Sequence, residues 1–215
     1  MYKILVIMAG LLASQQVFAS NWYVGAGLGV GHAKDASNNA ASGNSTVAQY
    51  GISNITSIND NSGTLSIFGG YHFNKQLAAE LAYSYLGNYD LHGFTGPGHT
   101  LPAGSEEDRA DAISLAAVLT LPIDSSFSIY GKLGPTLTTN EQTTCISNVW
   151  WCDSSSHVKT GMMLGVGASV SLPRLIGKLR LEVDSFNHAG DNSSEFTSGR
   201  FTQLQLQYVY FFSGQ

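Results

Sequence analysis

The chain has 215 residues, enough for one domain, and shows no sign of a second. Charged residues make up only 12% of it, with a formal net charge of −5, which argues against a long soluble helical protein and against a nucleic-acid surface. The apolar share of 43% excludes wholesale disorder, and the aromatic share of 11%, mostly Tyr and Phe, suits strands.

The first elements in chain order read as an address. Lys3 supplies a positive start, Ile4 to Ala13 an apolar core, and Val17-Phe18-Ala19 a signal-peptidase site. The apolar run is too short to span a bilayer as a helix. Residues 1–19 are therefore expected to be a cleaved signal peptide rather than an uncleaved anchor, with 20–215 as the mature domain. In an exported protein Cys145 and Cys152, seven apart in one polar stretch, are expected to form a local disulfide. No other His or Cys pair completes a zinc set with them.

Period-two alternation then recurs eight times. The first run, 22–31, sets Trp22, Val24, Ala26, Leu28 and Val30 against Tyr23 and four glycines. The second, 63–73, carries Leu65, Ile67, Gly69, Tyr71 and Phe73 on one face, and the third, 77–87, carries Leu77, Ala79, Leu81, Tyr83 and Tyr85 against Ala78, Glu80, Ala82 and Ser84. The fourth, 110–121, presents Ile113, Leu115, Ala117, Leu119 and Leu121. The fifth, 127–138, presents Phe127, Ile129, Leu133 and Leu137 against Ser128, Tyr130, Lys132 and Gly134, and its Pro135 predicts a bulge or an early end to pairing. The sixth, 157–172, sets Met162, Leu164, Val166, Ala168 and Val170 against Gly161, Gly165, Gly167 and Ser169. The seventh, 178–186, sets Leu179, Leu181 and Val183 against Arg180, Glu182 and Asp184, and the eighth, 200–212, sets Leu204, Leu206, Tyr208, Tyr210 and Phe212 against Gln203, Gln205 and Gln207.

Short connections (74–76, 122–126, 173–177) alternate with long polar ones (33–62, 88–109, 139–156, 187–199). In an up-and-down meander this puts tight turns at one end and long loops at the other, the pattern of an outer-membrane barrel. A lipocalin-like soluble barrel would also alternate, with its apolar face inward. Three features favour the membrane. The second face is mostly small or polar, which suits a crowded narrow lumen. Aromatic residues (Trp22, Tyr71, Phe73, Phe127, Tyr208, Tyr210 and Phe212) collect near the short-turn end of the apolar face, with Tyr83 and Tyr85 toward the other. No helix is left over to flank a soluble barrel. The expected fold is all-β: an eight-stranded antiparallel up-and-down transmembrane β-barrel.

Several segments carry a family likeness. They are Trp22 to Gly29, Gly69-Gly70-Tyr71-His72-Phe73-Asn74, Leu77 to Tyr83, Tyr130-Gly131-Lys132-Leu133-Gly134, Leu179 to Val183, and the closing Tyr208-Val209-Tyr210-Phe211-Phe212. In this order they resemble the OmpA-like transmembrane domain family over the whole mature chain. The resemblance implies a bacterial outer-membrane location, contact with membrane lipid and lipopolysaccharide, and insertion by the barrel assembly machinery. It implies an inward acid on the third strand, Glu80, near an inward base on the fifth, Lys132, and an inward Arg on the seventh, Arg180. The sequence departs from the family at the sixth strand, where Gly165 and Gly167 stand in place of an inward acid, so Glu182 or Asp184 is expected to serve Arg180. Three residues follow Phe212, and a peptidoglycan-binding domain is not expected.

Glu80, Lys132, Arg180, Glu182 and Asp184 read better as a charge-paired lumen filling than as a catalytic set, because charges inside a narrow barrel must pair. Small Ser114 and Ala116 on the intervening strand leave room for Glu80 and Lys132 to meet across part of the lumen. Lipid A-modifying barrels with a His-Ser-acid arrangement would show His-x-Ser on a strand. None of His32, His72, His92, His99, His157 and His188 does, so no enzymatic activity and no cofactor or metal are expected. Ten acids in the long connections (Asp35, Asp60, Asp90, Glu106, Glu107, Asp108, Glu141, Asp153, Asp191 and Glu195) against Lys34 and Arg109 predict an acidic outer rim. Trp150 and Trp151 sit beside Cys152 and could touch headgroups or a partner. The expected role is structural and interactive at the cell surface, with an extracellular ligand taken through the loops. The alternatives are a narrow solute channel and, behind it, a lipid A-modifying enzyme.

Overall fold

The structure is a computed structural model that describes residues 21–33, 55–58, 61–94, 104–146, 151–171, 177–187 and 200–212. The expected signal peptide 1–19, the Ala36–Thr46 stretch, Trp150, His99 and His188 lie outside the described residues. So do Asp35, Asp60, Asp191 and Glu195.

Nine strands are formed: β1 Trp22–Ala33, β2 Ile55–Ile58, β3 Asn61–His72, β4 Leu77–Phe94, β5 Gly104–Pro122, β6 Phe127–Ile146, β7 Trp151–Ser171, β8 Lys178–Phe186 and β9 Phe201–Phe211. Eight of them, β1 and β3–β9, pair antiparallel with their chain neighbours, and β1 closes the ring on β9. This is the eight-stranded up-and-down barrel expected from the alternation. The ninth strand, β2, extends the rank of β3: it pairs with Leu91, His92 and Phe94 of β4, above the point where β3 stops. On its other side β4 carries a bulge between Tyr85 and Gly87, where its register on β5 shifts by one residue. Gly87 sits there at φ +108°, a conformation in which a Cβ would be strained.

Both described turns at the short end open on a side chain that caps the backbone. Asn74 Oδ1 accepts from the amides of Gln76 and Leu77, both at 2.8 Å, and Asp124 Oδ1 accepts from those of Ser126 and Phe127, both at 2.7 Å. The two N–H groups hold the Asp124 carboxyl below its usual range.

The outward side chains are apolar and exposed along every wall strand, as on Leu65 and Ile67, Leu81 and Tyr83, Leu133 and Leu137, Leu164 and Val166, and Leu204 and Leu206. On β6 this belt runs from Phe127 to Leu137, about the strand length that crosses a bilayer at a tilt. Five of the expected interface aromatics, Trp22, Phe73, Phe127, Tyr208 and Tyr210, are exposed at the short-turn end, and Tyr71 and Phe212 are half-buried beside them. Trp22 meets the ring of its register partner Tyr71 at 5.1 Å, and Tyr71 meets Phe73 at 5.4 Å. Toward the opposite end, the Tyr83 hydroxyl donates to Asp111 at 2.7 Å and the Tyr85 ring lies under the Arg109 guanidinium.

Two expectations are corrected. The connections 88–109 and 139–156 are far shorter than the alternation implied, because β4, β5, β6 and β7 continue as paired strands well past the apolar belt. From Thr138 to Ile146, β6 rises roughly 30 Å along its axis beyond the last outward leucine. Asp90, Glu106, Glu107, Asp108, Glu141 and Asp153 thus lie on strands, as does Arg109, which pairs with Asp111 at 3.3 Å. Outside the bilayer both faces of a strand meet water, so the apolar/polar contrast that betrays a strand disappears. Pro135 likewise neither bulges nor ends β6. The β5–β6 pairing does lapse at Gly134 and Pro135, but it resumes in the same register at Leu133, and β6 stays paired with β7 through Pro135↔Met162. Beside it Gly134 lets β5 approach, since a Cβ there would collide with the Leu115 carbonyl.

Candidate functional site

Inward parity brings Glu80 on β4, Lys132 on β6, and Arg180, Glu182 and Asp184 on β8 into the lumen, each at most 5% exposed. Four of the five form one bonded cluster. Lys132 Nζ donates to Glu80 Oε1 at 2.5 Å and to Glu182 Oε1 at 2.7 Å, and Arg180 Nη1 donates to Glu80 Oε2 at 3.0 Å. Lys132 therefore bridges two carboxylates from opposite walls. It reaches past β5, where Ala116 stands directly across from Glu80. Arg180 turns to Glu80 rather than to the carboxylates of its own strand. Asp184 makes no ion pair with the two cations but lies against Glu182, and its Oδ2 accepts from Gln203 at 3.0 Å.

Several residues that the charge pattern alone did not single out complete the cluster. The Tyr23 hydroxyl donates to Glu80 Oε2 at 2.9 Å, the Tyr130 hydroxyl donates to Glu182 Oε2 at 2.7 Å, and Gln207 Nε2 donates to Glu182 Oε1 at 2.9 Å. The Arg180 guanidinium lies over the rings of Tyr130, Tyr23 and Phe68 at 4.9, 5.2 and 5.7 Å, an aromatic cage for a desolvated cation. Gln207, Gln205 and Gln203 link by side-chain amides along β9, and Ser66 donates to Gln205. The signal for all of these was their parity: each is polar or aromatic on the face that carries the charges.

The glycines explain how so much fits. Gly70 lies in register opposite Tyr23, Gly25 opposite Phe68, and Gly167 opposite Tyr130. In each pair a Cβ on the glycine would strike the facing ring. Gly165 sits between Lys132 and Asp184 in register, and a Cβ there would strike the Asp184 carboxylate. The position where an acid was expected from the family pattern is thus occupied by a residue that makes room for one reaching in from the next strand.

Desolvating five charges costs several kcal/mol per ion unless each finds opposite charge and hydrogen bonds, and these bonds span β1, β4, β6, β8 and β9. Such a cluster ties the barrel walls together across the lumen. Of the described histidines, His72 packs against Tyr23 and Phe211 at the short-turn mouth and His32 lies within hydrogen-bond reach of Asn61.

A closed ring of antiparallel strands with lipid-facing leucines outside and paired charges inside defines an integral β-barrel of the bacterial outer membrane. The chain belongs to the OmpA-like transmembrane domain family, whose sequence profile matches residues 18–215. Among solved structures it is similar to Ail, the attachment invasion locus protein of Yersinia pestis, with 12% identity and a TM-score of 0.50 over 90% of this chain and 100% of Ail. It is also similar to Neisserial surface protein A, with 15% identity and a TM-score of 0.55 over 90% of this chain and 99% of that one. At these identities the likeness is one of fold. No curated protein sequence matches the chain.

Proposed function

We propose that the protein is a non-conducting scaffold of the outer membrane that presents its long-connection end to the cell surface for interaction. The observation that supports this most is the lumen, where Lys132 bridges Glu80 and Glu182 and Arg180 braces Glu80. The wall strands that rise above the apolar belt on one side of the barrel suit a surface for an extracellular ligand. Membrane lipid and lipopolysaccharide surround the outward leucines, the barrel assembly machinery inserts the chain, and a leader ending at Ala19 directs its export. In this reading the five lumen charges are structural, and the protein is not an enzyme. Folded protein in planar bilayers should show no discrete conductance steps in molar salt. Reproducible steps would instead make it a narrow channel for small solutes, and a change in lipid A mass on incubation would make it an enzyme.

Cys145 and Cys152 belong to the same proposal. Their Cα atoms are directly opposed in the β6–β7 register, so a disulfide would clamp two strands near the end of their pairing. Alkylation of non-reduced protein should label neither cysteine. Labelling of both thiols in protein isolated from the cell surface would count against the bond. Because the clamp lies far from the membrane belt, its loss should leave barrel folding essentially unchanged.

A further inference from the structure

The barrel wall has a tall arc and a low one. At the long-connection end β4 to β7 rise past the apolar belt, whereas β8, β9, β1 and β3, adjacent in the ring, reach only to Phe186, Phe201, Ala33 and Asn61. On the low arc the last outward row is polar. Ser185, Thr202, His32 and Asn61 are successive register partners across β8, β9, β1 and β3. At the next outward position Arg200 Nε donates to Asn187 Oδ1 at 3.3 Å, and both residues are exposed. Directly below the row lie Val183, Leu204 and Val30 of the lipid-facing belt. Trp22 and Tyr210 belong to the aromatic band at the short-turn end, and His32 and Arg200 each stand ten residues from them in the chain. Ten residues span about 33 Å along a strand, which a tilt of about 40° reduces to about 25 Å, the height of the apolar band of an outer-membrane barrel. Arg200 and His32 therefore stand in the opposite headgroup layer.

Charge in that layer is divided between the arcs. The described acids above the belt, Asp111 and Glu141 among them, stand on β4 to β7, and there Arg109 is paired with Asp111 at 3.3 Å and lies over the Tyr85 ring. On the low arc Arg200 is the one outward arginine among the described residues, and it forms no ion pair among them. Asn187 holds its Nε, which leaves the two Nη groups, the fork that grips a phosphate through parallel N–H donors. We propose that this low arc docks the phosphate of a glycolipid of the surrounding outer leaflet, with Arg200 as the anchor and the Thr202 and Ser185 hydroxyls as neighbouring donors. The acyl chains of that lipid lie along Val183, Leu204 and Val30. The proposal rests on the reading above that the long-connection end faces the cell surface, where lipopolysaccharide carries its phosphates at the foot of the sugar layer.

The test titrates detergent-folded protein with purified diphosphorylated lipid A and counts bound lipid by native mass spectrometry, with chelator present throughout. The proteins are the unaltered chain, Arg200→Gln, Arg200→Lys and Arg109→Gln, each first shown to be folded by heat-modifiable gel migration. The unaltered chain and Arg109→Gln should bind one lipid A with equal affinity. Arg200→Gln should bind it about tenfold more weakly, the loss of one charged hydrogen-bonding group, and Arg200→Lys should recover part of that loss. Dephosphorylated lipid A should bind all four alike and as weakly as Arg200→Gln binds the intact lipid. Equal binding by Arg200→Gln, an equal loss in Arg109→Gln, or indifference to the phosphates would overturn the site. Binding by the unaltered chain that appears only when magnesium replaces the chelator would also overturn it, in favour of a metal bridge from the acids. Detergent has no sides, so these outcomes leave the orientation standing. A Ser45→Cys variant that a membrane-impermeant maleimide fails to label on intact cells would sink the orientation instead.

Discussion

Lys132→Ala lowers the stability of the folded barrel by about 3–5 kcal/mol, Glu80→Ala by a similar or smaller amount, and the double variant by less than the sum. The reason is that removing one member of a buried pair strands the other, whereas removing both also removes the stranded charge. Lys132 serves two carboxylates at once, so its loss leaves Glu182 without a cation, held by neutral donors such as the Tyr130 hydroxyl and the Gln207 amide. The loss of Glu80 leaves Lys132 still bonded to Glu182, and leaves Arg180 caged by Tyr130, Tyr23 and Phe68. The asymmetry between the two single variants is therefore part of the expected result. Urea unfolding of detergent-folded protein, run as a double-mutant cycle, measures all three. Additive losses would show that the two charges act independently and would overturn the bridging role assigned to Lys132.

Arginine on the lipid face gives the second large effect. Leu81, Leu164 and Leu206 are 57, 57 and 52% exposed in the isolated chain, and Leu164 and Leu206 stand in register with outward Leu133 and Leu28. Their exposure is to hydrocarbon, so Leu→Arg at any of them should cost about 2–4 kcal/mol near the midplane. The same change at Tyr210, in the aromatic band at the short-turn end, should cost only about 0–1 kcal/mol, since the guanidinium reaches the headgroups there. Ser45→Arg, in the long connection between β1 and β3, should be nearly silent. Folding yield and urea midpoint in lipid vesicles report the gradient. Equal folding of all five variants would invert the assignment of faces.

Much of this architecture follows from local pattern alone. Eight runs of period two specify eight strands, and the alternation of short and long connections specifies an up-and-down order. Because side chains on a strand alternate strictly between faces, parity alone put Glu80, Lys132, Arg180, Glu182 and Asp184 on one side of the wall and Leu81, Leu164 and Leu206 on the other. The strands fade from view where the bilayer ends. Thr138 to Ile146 is as much a strand as Phe127 to Leu137, yet without a lipid-facing row of apolar side chains it lacks the contrast that reveals it. Pro135 shows the same limit in reverse. It forbids one amide donor and the β5–β6 pairing lapses there, but the strand runs on because β7 keeps it in line through Met162.

The lumen needed the tertiary structure for its wiring. Parity names which side chains enter a barrel but not which of them meet, because partners come from strands that are not adjacent and depend on the lumen's width. Thus Arg180 turns to Glu80 on the far wall, Tyr23 and Tyr130 become donors to carboxylates, and Gly165 proves to be space for Asp184. The row Met163, Phe186 and Phe201 appears only once β7, β8 and β9 are laid in register. The sequence by itself determined a closed membrane barrel and the inner and outer face of each strand, since the bilayer and the pleat impose those residue by residue. Which inward groups bond was decided by strand register and barrel closure, which set distances between residues far apart in the chain.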